Sequence, residues 1–261
     1  MTVEAEQLRG ELAALGVHPG AVVLVHCSLR SIGRHVAGGA DGLRDVLRDL
    51  LGEPGTLVVP AQSRSKSTTS KEFRRAVARL SPSEFEHYVA TVPGFDAKST
   101  PSEGMGALAE SVRTHPEAHR SAHPTASFAA VGRHAQALTA SHPLDCVLGD
   151  RSPLGWMSQA GASVLLLGVG YDKCTAFHLG EDRSIAPDRS YRFKVGHSWL
   201  EVPDAHDYDD SDFTKLGAMF EAKHTNSVLR GKVGDATCRL FPLALAADFA
   251  AKQLPGLRVA A

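Results

Sequence analysis

Four short apolar runs constrain this chain more than any other feature: AVVLVH (21–26), TLVVP (56–60), TASFAAVG (125–132) and ASVLLLGVG (162–170). They are apolar at consecutive positions, not at every second one, as suits a strand covered on both faces. Between the first two lie a loop, CSLRSIGRHVAGGA, and then DGLRDVLRDLL, where Leu43, Val46, Leu47, Leu50 and Leu51 make one helical stripe. A strand–loop–helix–strand unit of this kind predicts parallel pairing through a right-handed crossover. Val3, Leu8, Leu12 and Leu15 recur at helical spacing ahead of it, with Gly16 as the stop.

Further helices are expected near 132–141, at 212–222 and over PLALAADFAAKQL. YRFKV and HSWLEV read as antiparallel strands, and GKVGDATCRLF as a strand pair or hairpin. The fold class is therefore α/β, a mixed sheet with a parallel core flanked by helices and antiparallel strands in the C-terminal half. Residues 61–100 break the pattern with SRSKSTTSKEFRR and then PSEFEHYVATV. They read as an insertion over the sheet, shaping one wall of a cleft within a single domain spanning 1–261.

With 261 residues, 43% of them hydrophobic, the chain can bury one substantial core. Its 28 Lys plus Arg against 29 Asp plus Glu leave a formal net charge of −1. Neither nucleic acid nor a membrane surface is the expected partner. Cys27, Cys146, Cys174 and Cys238 are scattered without a CxxC pair, which fits a reduced, cytoplasmic protein. The charged, helical N-terminus MTVEAEQLRGELAALG does not read as a signal peptide. The apolar runs reach roughly half the length of a membrane span.

The chemistry concentrates in GVGYDKCTAFHLGED (168–182), directly after the most apolar run. His178 and Glu181 are three apart, so a helix places both on one face. With Thr175 as N-cap, His178 sits in the first turn, where the helix dipole disfavours imidazolium. The carboxylate works the other way while fixing the ring and its tautomer, and a general base near neutrality needs that balance. In open α/β sheets this place, beyond the carboxyl end of a strand, is also where ligands bind. The same spacing fits an ordinary pair on a helix surface.

Other readings stay open on these residues. HxxE is not HExxH, and His115 and His119, four apart, have Pro116 between them. No metal is therefore expected, because zinc usually takes three or four such ligands. Cys27 and Cys174 are candidate thiol nucleophiles, or simply small buried hydrophobes. GVG at 168–170 lacks the third glycine of a dinucleotide fingerprint, and Asp172 would repel a pyrophosphate. The loop CSLRSIG offers Ser28, Ser31 and Gly33 backbone donors, with Arg30 and Arg34 adding positive charge, to a phosphate-bearing or amide-rich ligand. In RSAHPTASF, Arg120, Ser121 and His123 repeat that theme, although His123 also reads as a histidine before a turn proline.

In this order, VLVHCSLRSIG, GTLVVP, TPSEGMGALAESVR, RSAHPTASFAAVG, DRSPLGWM, VLLLGVGYDKCTAFHLGED and RGKVGDATCRLF resemble the aminoglycoside 3-N-acetyltransferase family. This is the antibiotic N-acetyltransferase type not built on the common acetyltransferase fold. The resemblance covers nearly the whole chain. It implies transfer from acetyl-CoA to the 3-amino group of 2-deoxystreptamine antibiotics, hence a resistance function, with no metal. It further implies His178 as catalytic base and Glu181 as the acid that orients it. It assigns Ser28, Leu29, Arg30, Ser31, Ile32 and Gly33 to the pantetheine loop, and Ser121 and His123 to a second coenzyme contact. Asp172 and Thr175 line the acceptor end, while Asp150 and parts of the acidic loop 204–212 are expected to hold further ammonium groups. In that loop, Asp210 and Ser211 are equally candidates to cap the next helix.

Two features depart from the pattern. A basic insertion stands where carboxylates would suit a polycation, and Cys27 replaces the usual serine, a conservative change without thiol chemistry. Transfer to another small amine, or sequestration of the antibiotic without chemistry, fits the same residues. A homodimer is the assembly entertained.

Overall fold

The computed structural model describes residues 2–33, 35–68, 70–185, 189–205 and 208–259. In chain order the elements are β1 (Thr2–Val3), α1 (Ala5–Leu15), β2 (Val22–Cys27), β3 (His35–Val36), α2 (Gly39–Leu51) and β4 (Thr56–Pro60). Next come α3 (Lys71–Val77), α4 (Pro82–Thr91), α5 (Ala107–Arg113), β5 (His119–Arg120), β6 (Phe128–Gly132), α6 (Ala135–Thr139) and α7 (Pro153–Gln159). The last part holds β7 (Ser163–Leu167), α8 (Ala176–Ser184), β8 (Arg189–Val195), β9 (Ser198–Ala205), α9 (Phe213–Lys223), β10 (Leu229–Val233), β11 (Ala236–Pro242) and α10 (Leu243–Val259).

Seven strands form one sheet in the order β10-β11-β7-β2-β4-β6-β5. Its centre, β7-β2-β4, is parallel, as the strand–helix–strand reading expects. The flanks are antiparallel, through the β10–β11 hairpin on one side and β6–β5 on the other. The unbroken apolar runs follow from burial on both faces. Val22 and Leu24 of β2, Val58 of β4, and Val164 and Leu166 of β7 face a core closed by α6 to α10. Val23, Val25, Leu57, Val59, Leu165 and Leu167 face the other way, onto α1, α2 and α5.

Gly16 ends α1 as expected, with φ of 109° in the left-handed region. Val3, grouped with that helix by spacing, instead lies in β1, paired with Val36 of β3 and fully buried.

Helix α8 packs closely along α10, and glycine makes the close packing possible. A Cβ on Gly180 would collide with the carbonyl oxygen of Ala247 and stand 2.5 Å from the Ala250 Cβ. Gly180→Ala is therefore expected to force the two helices apart and to destabilise the protein by about 1–3 kcal/mol, read from urea unfolding midpoints. Unchanged midpoints would show that this interface yields.

Residues 61–100 fold onto the β8–β9 hairpin. Isolated bridges join Ser67 to Phe193 and Phe95 to Val195. The Lys194 ammonium donates to the carbonyls of Val89 and Ala90, both at 2.9 Å, at the C-terminal end of α4. Arg120 ties the segment to the sheet. It donates to the carbonyls of Ala61 and Thr100 and to the hydroxyls of Ser63 (3.1 Å) and Ser127 (3.0 Å). Burial and the charge of Arg113 pull this guanidinium down to about 10.

Candidate active site

The carboxyl ends of β2, β4 and β7 share one edge of the sheet, and a cleft of about 590 Å³ opens there. Its walls come from the segments that leave those strands. His26 and Cys27 end β2 and Ser28 to Arg30 follow it, Pro60 ends β4 with Gln62 and Arg64 beyond it, and Val169 and Asp172 to Thr175 lead into His178. Glu72 of α3, Glu103 to Ala107, Asp210 and Phe213 complete it. This is the edge at which parallel sheets bind ligands, because their loops diverge there.

His178 and Glu181 both lie in α8 and are buried, with 7% and 1% of their surface exposed. The Nδ1 of His178 stands 2.7 Å from Oε2 of Glu181. A carboxylate can only accept, so the Nδ1–H donates, and in the neutral ring Nε2 carries the lone pair. Phe213 packs on the imidazole at 4.6 Å between centroids, and Tyr208 meets it edge-on at 5.3 Å. Burial works against the Glu181 charge, but the hydrogen bond and charge of His178, followed by those of Arg258, hold its carboxyl below the usual range. Arg258, from the last turn of α10, reaches Glu181 Oε1 at 2.6 Å.

Thr175 occupies the N-cap position of α8, but its hydroxyl makes no capping bond there. It lines the cleft beside Asp172, whose carboxylate lies 2.9 Å from the Lys173 ammonium. Of the serine-glycine loop, Ser28, Leu29 and Arg30 line the cleft. Ser31 supports them from behind, donating to the Ser28 hydroxyl at 2.9 Å, and Ile32 is fully buried in the core on the far face. Gly33 closes the turn at φ of 73°, where any side chain would run into Asp235. Arg34 lies outside the described residues.

Three of the expected residues lie elsewhere than along this cleft. Ser121 and His123 were expected to touch the coenzyme, yet both are fully buried and away from the cleft. They belong to an interior chain of hydrogen bonds. The Thr125 and Ala126 amides donate to His123 Nδ1, so its Nε2–H donates to the Tyr191 hydroxyl at 2.9 Å, which donates to the Leu144 carbonyl at 2.8 Å. Ser121 accepts from the Phe128 amide and pairs with His142 Nδ1 at 2.9 Å, while His142 Nε2 donates to the Val147 carbonyl at 2.8 Å. Asp150, expected near the acceptor, is outside the cleft and pairs with Arg183 at 2.6 Å.

The acidic loop divides. Residues 206–207 lie outside the described residues, Asp210 lines the cleft, and Asp209 and Asp212 engage Arg258. The N-cap of α9 is Asp212, not Asp210 or Ser211, and its side chain makes no capping bond.

Sequence reasoning missed several groups. His26 follows Leu24 by two residues, so strand alternation turns it to the α8 face; the parity of AVVLVH carried that signal. Its Nε2 is buried with no hydrogen-bond partner among the described residues, and burial, followed by repulsion from His178, pulls the ring down to about 3. Glu72 and Glu103 also reach the cleft, the first from within the basic insertion itself. Glu103 is held by the Ser65 amide at 2.7 Å and by the Ser65 hydroxyl.

The thiols do not gain nucleophilic character. Burial pushes both Cys27, helped by Cys238, and Cys174 up to about 12. His115 and His119 fall on no common helix, and no group of three or more potential ligands gathers among the described residues. Among those residues, too, no helix is long and apolar enough to cross a membrane.

The family model described as aminoglycoside 3-N-acetyltransferase matches residues 24–255. The prophage-derived aminoglycoside N(3')-acetyltransferase-like protein YokD of Bacillus subtilis is 38% identical over 254 residues, covering 95% of this chain and 90% of its own. The crystal structure of YokD superposes with a TM-score of 0.90 over 97% of this chain and 94% of its own, at 35% identity. A solved binary complex of AAC-IIIb with CoASH is similar at a TM-score of 0.82 and 29% identity, covering 98% of each chain. A sisomicin-bound AAC-VIa structure gives a TM-score of 0.80 at 25% identity, over 98% of this chain and 99% of its own.

Proposed function

Given that this chain belongs to the aminoglycoside 3-N-acetyltransferase family and is an acetyltransferase, we propose that it acetylates the 3-amino group of 2-deoxystreptamine aminoglycosides from acetyl-CoA, by direct attack with His178 as general base. One observation carries this reading. The Nδ1–H of His178 is committed to Glu181, which leaves the Nε2 lone pair of a cleft-lining imidazole to accept a proton.

An ammonium group is no nucleophile, so the acceptor must lose a proton before or as its nitrogen attacks. His178 takes that proton on Nε2, and Glu181 holds the ring in the required tautomer and steadies the charge it gains. Acetyl-CoA supplies the acetyl group as a thioester and departs as the thiol. Thr175, free of capping duty, offers a hydroxyl at the cleft for the oxygen charge that develops.

The residues present fit such a donor. Ser28, Leu29 and Arg30 line the cleft together with Gly104 to Ala107, a wall both apolar and positively charged. Gly106 lies close beside this loop, where a Cβ would stand 3.2 Å from the Cys27 carbonyl oxygen. The solved neighbour carrying CoASH supports that assignment. For the acceptor, Glu72, Glu103, Asp172 and Asp210 supply negative charge, and the sisomicin-bound neighbour supports a polycationic ligand. Arg64 on the same lining favours a second reading, transfer to a smaller and less cationic amine.

Incubation with acetyl-CoA and a panel of varied aminoglycosides, followed by mass spectrometry and NMR, separates these readings. The expected product carries one acetyl group on the 3-amine, with coenzyme A thiol released only when acceptor is present. Acetylation of simple amines alone would favour the second reading, and binding of drug without a mass change would leave sequestration.

A further inference from the structure

We propose that Arg258 is a positioning residue for the dyad: it fixes Glu181, balances its charge so that His178 stays a neutral proton acceptor, and pins the turn that walls them. The inference rests on the reading of His178 as the base. Arg258 lies in the last turn of α10, past residue 255, where the family match ends.

The geometry divides the Glu181 carboxylate between two partners. Oε2 accepts from His178 at 2.7 Å, and Oε1 accepts from Arg258 Nη1 at 2.6 Å. The same guanidinium donates through Nε to Asp212 at 3.3 Å and through Nη2 to the Asp209 carbonyl at 2.8 Å. Every edge of the fork is used, as suits arginine and not lysine. The Asp209–Asp212 turn it holds leads into Phe213, which packs on His178, and carries Asp210 to the cleft.

The charges around the dyad show why a cation is needed there. The Glu181 side chain is only 2% exposed, so its charge is poorly solvated and demands a counter-charge. His26, facing from β2, is neutral across the ordinary pH range. Before α8, Asp172 and Lys173 pair with each other, and Arg183 of α8 turns away to Asp150 and Asp248. Asp209, Asp210 and Asp212 on the adjoining turn add negative charge. Tyr208 and Phe213 bring aromatic rings, and among the described residues Arg258 is the one cation in contact with Glu181. Without it, the buried carboxylate would draw a proton onto the imidazole and hold it there, and an imidazolium cannot serve as a base.

The test is a titration of the full chain followed by NMR of the His178 Cε1–H, assigned by its loss in His178→Gln. In Arg258→Met the dyad is expected to take up its proton at higher pH than in the wild type. kcat/KM at pH 6.5, relative to pH 8.5, should fall by about tenfold, one decade for each unit the midpoint moves. In a Glu181→Gln background the same substitution should leave the midpoint unmoved, because Arg258 acts through that carboxylate. Should Arg258→Met fail to fold, Arg258→Gln removes the charge while keeping hydrogen-bond donors and carries the same expectation. An unmoved midpoint in a folded variant, or an undiminished shift in the Glu181→Gln background, overturns the proposal. Loss of turnover in His178→Ala together with an unmoved midpoint would cost Arg258 its role and leave the base assignment standing. Full turnover in His178→Ala would remove the base assignment, while the titration would still report whether Arg258 sets the dyad.

Discussion

His178→Ala is expected to lower kcat by about 10²–10⁴-fold while coenzyme A still binds, because general-base assistance is lost and the donor wall is not. The imidazole is the one group at the end of α8 whose bonding pattern leaves an acceptor nitrogen at the cleft. The donor wall of Ser28, Leu29 and Arg30 comes from a different strand and turn, so its shape does not depend on the ring. The loss should shrink as pH rises, since an acceptor amine that is already neutral needs less help. Turnover of purified variant should be followed by thiol release from pH 6 to 9, with coenzyme A affinity measured separately by calorimetry. A variant turning over near the wild-type rate would take the histidine out of the proton transfer. Loss of coenzyme A affinity in step with turnover would instead make the ring part of the donor site.

What could be read from the sequence follows the range of the interactions involved. β2, β4, β6 and β7 announced themselves because both faces of each strand are covered, and each run therefore shows burial without needing its partner. The pairing of His178 with Glu181 was equally local, three residues within one helix. Arg258 was invisible for the opposite reason. It meets Glu181 from 77 residues away, and an arginine near the end of a helix looks like any solvated charge. Glu72 was hidden inside a stretch whose overall sign is positive, and only the fold of 61–100 onto β8 and β9 explains its place at the cleft.

Ser121 and His123 show the converse case, being buried in the interior among distant partners. A polar cluster before a strand looks the same whether it faces a ligand or the interior. The difference lies in partners that arrive from afar: His142 for Ser121, Tyr191 for His123. Asp150 was similarly claimed by Arg183, 33 residues further on.

The buried histidines of that network, with His26 at the cleft, should make the protein acid-sensitive well above the range in which carboxylates titrate. His26, His123 and His142 are buried and neutral. Burial, with repulsion from His178, lowers His26 to about 3; burial lowers His142 to about 4 despite the Val147 and Cys146 carbonyls. Burial and the neighbouring His142 take His123 well below its ordinary value. In the unfolded chain each ring protonates near pH 6.5. Above that pH both states are neutral and the stabilisation is fully present. As pH falls from about 6.5 toward 4, the unfolded chain binds protons that the fold refuses, and stability is lost. With three such rings the steepest slope is about 4 kcal/mol per pH unit, from about 1.4 per proton. Set against a typical stability of about 5–15 kcal/mol, unfolding is expected between pH 4 and 6, before Glu181 and Glu110 begin to protonate in the fold. Urea unfolding midpoints measured from pH 7.5 down to 4.5 check this. A flat profile through pH 5.5 would mean that all three rings take up their protons inside the fold as readily as in the unfolded chain, whereas a slope about a third shallower would single out one of them.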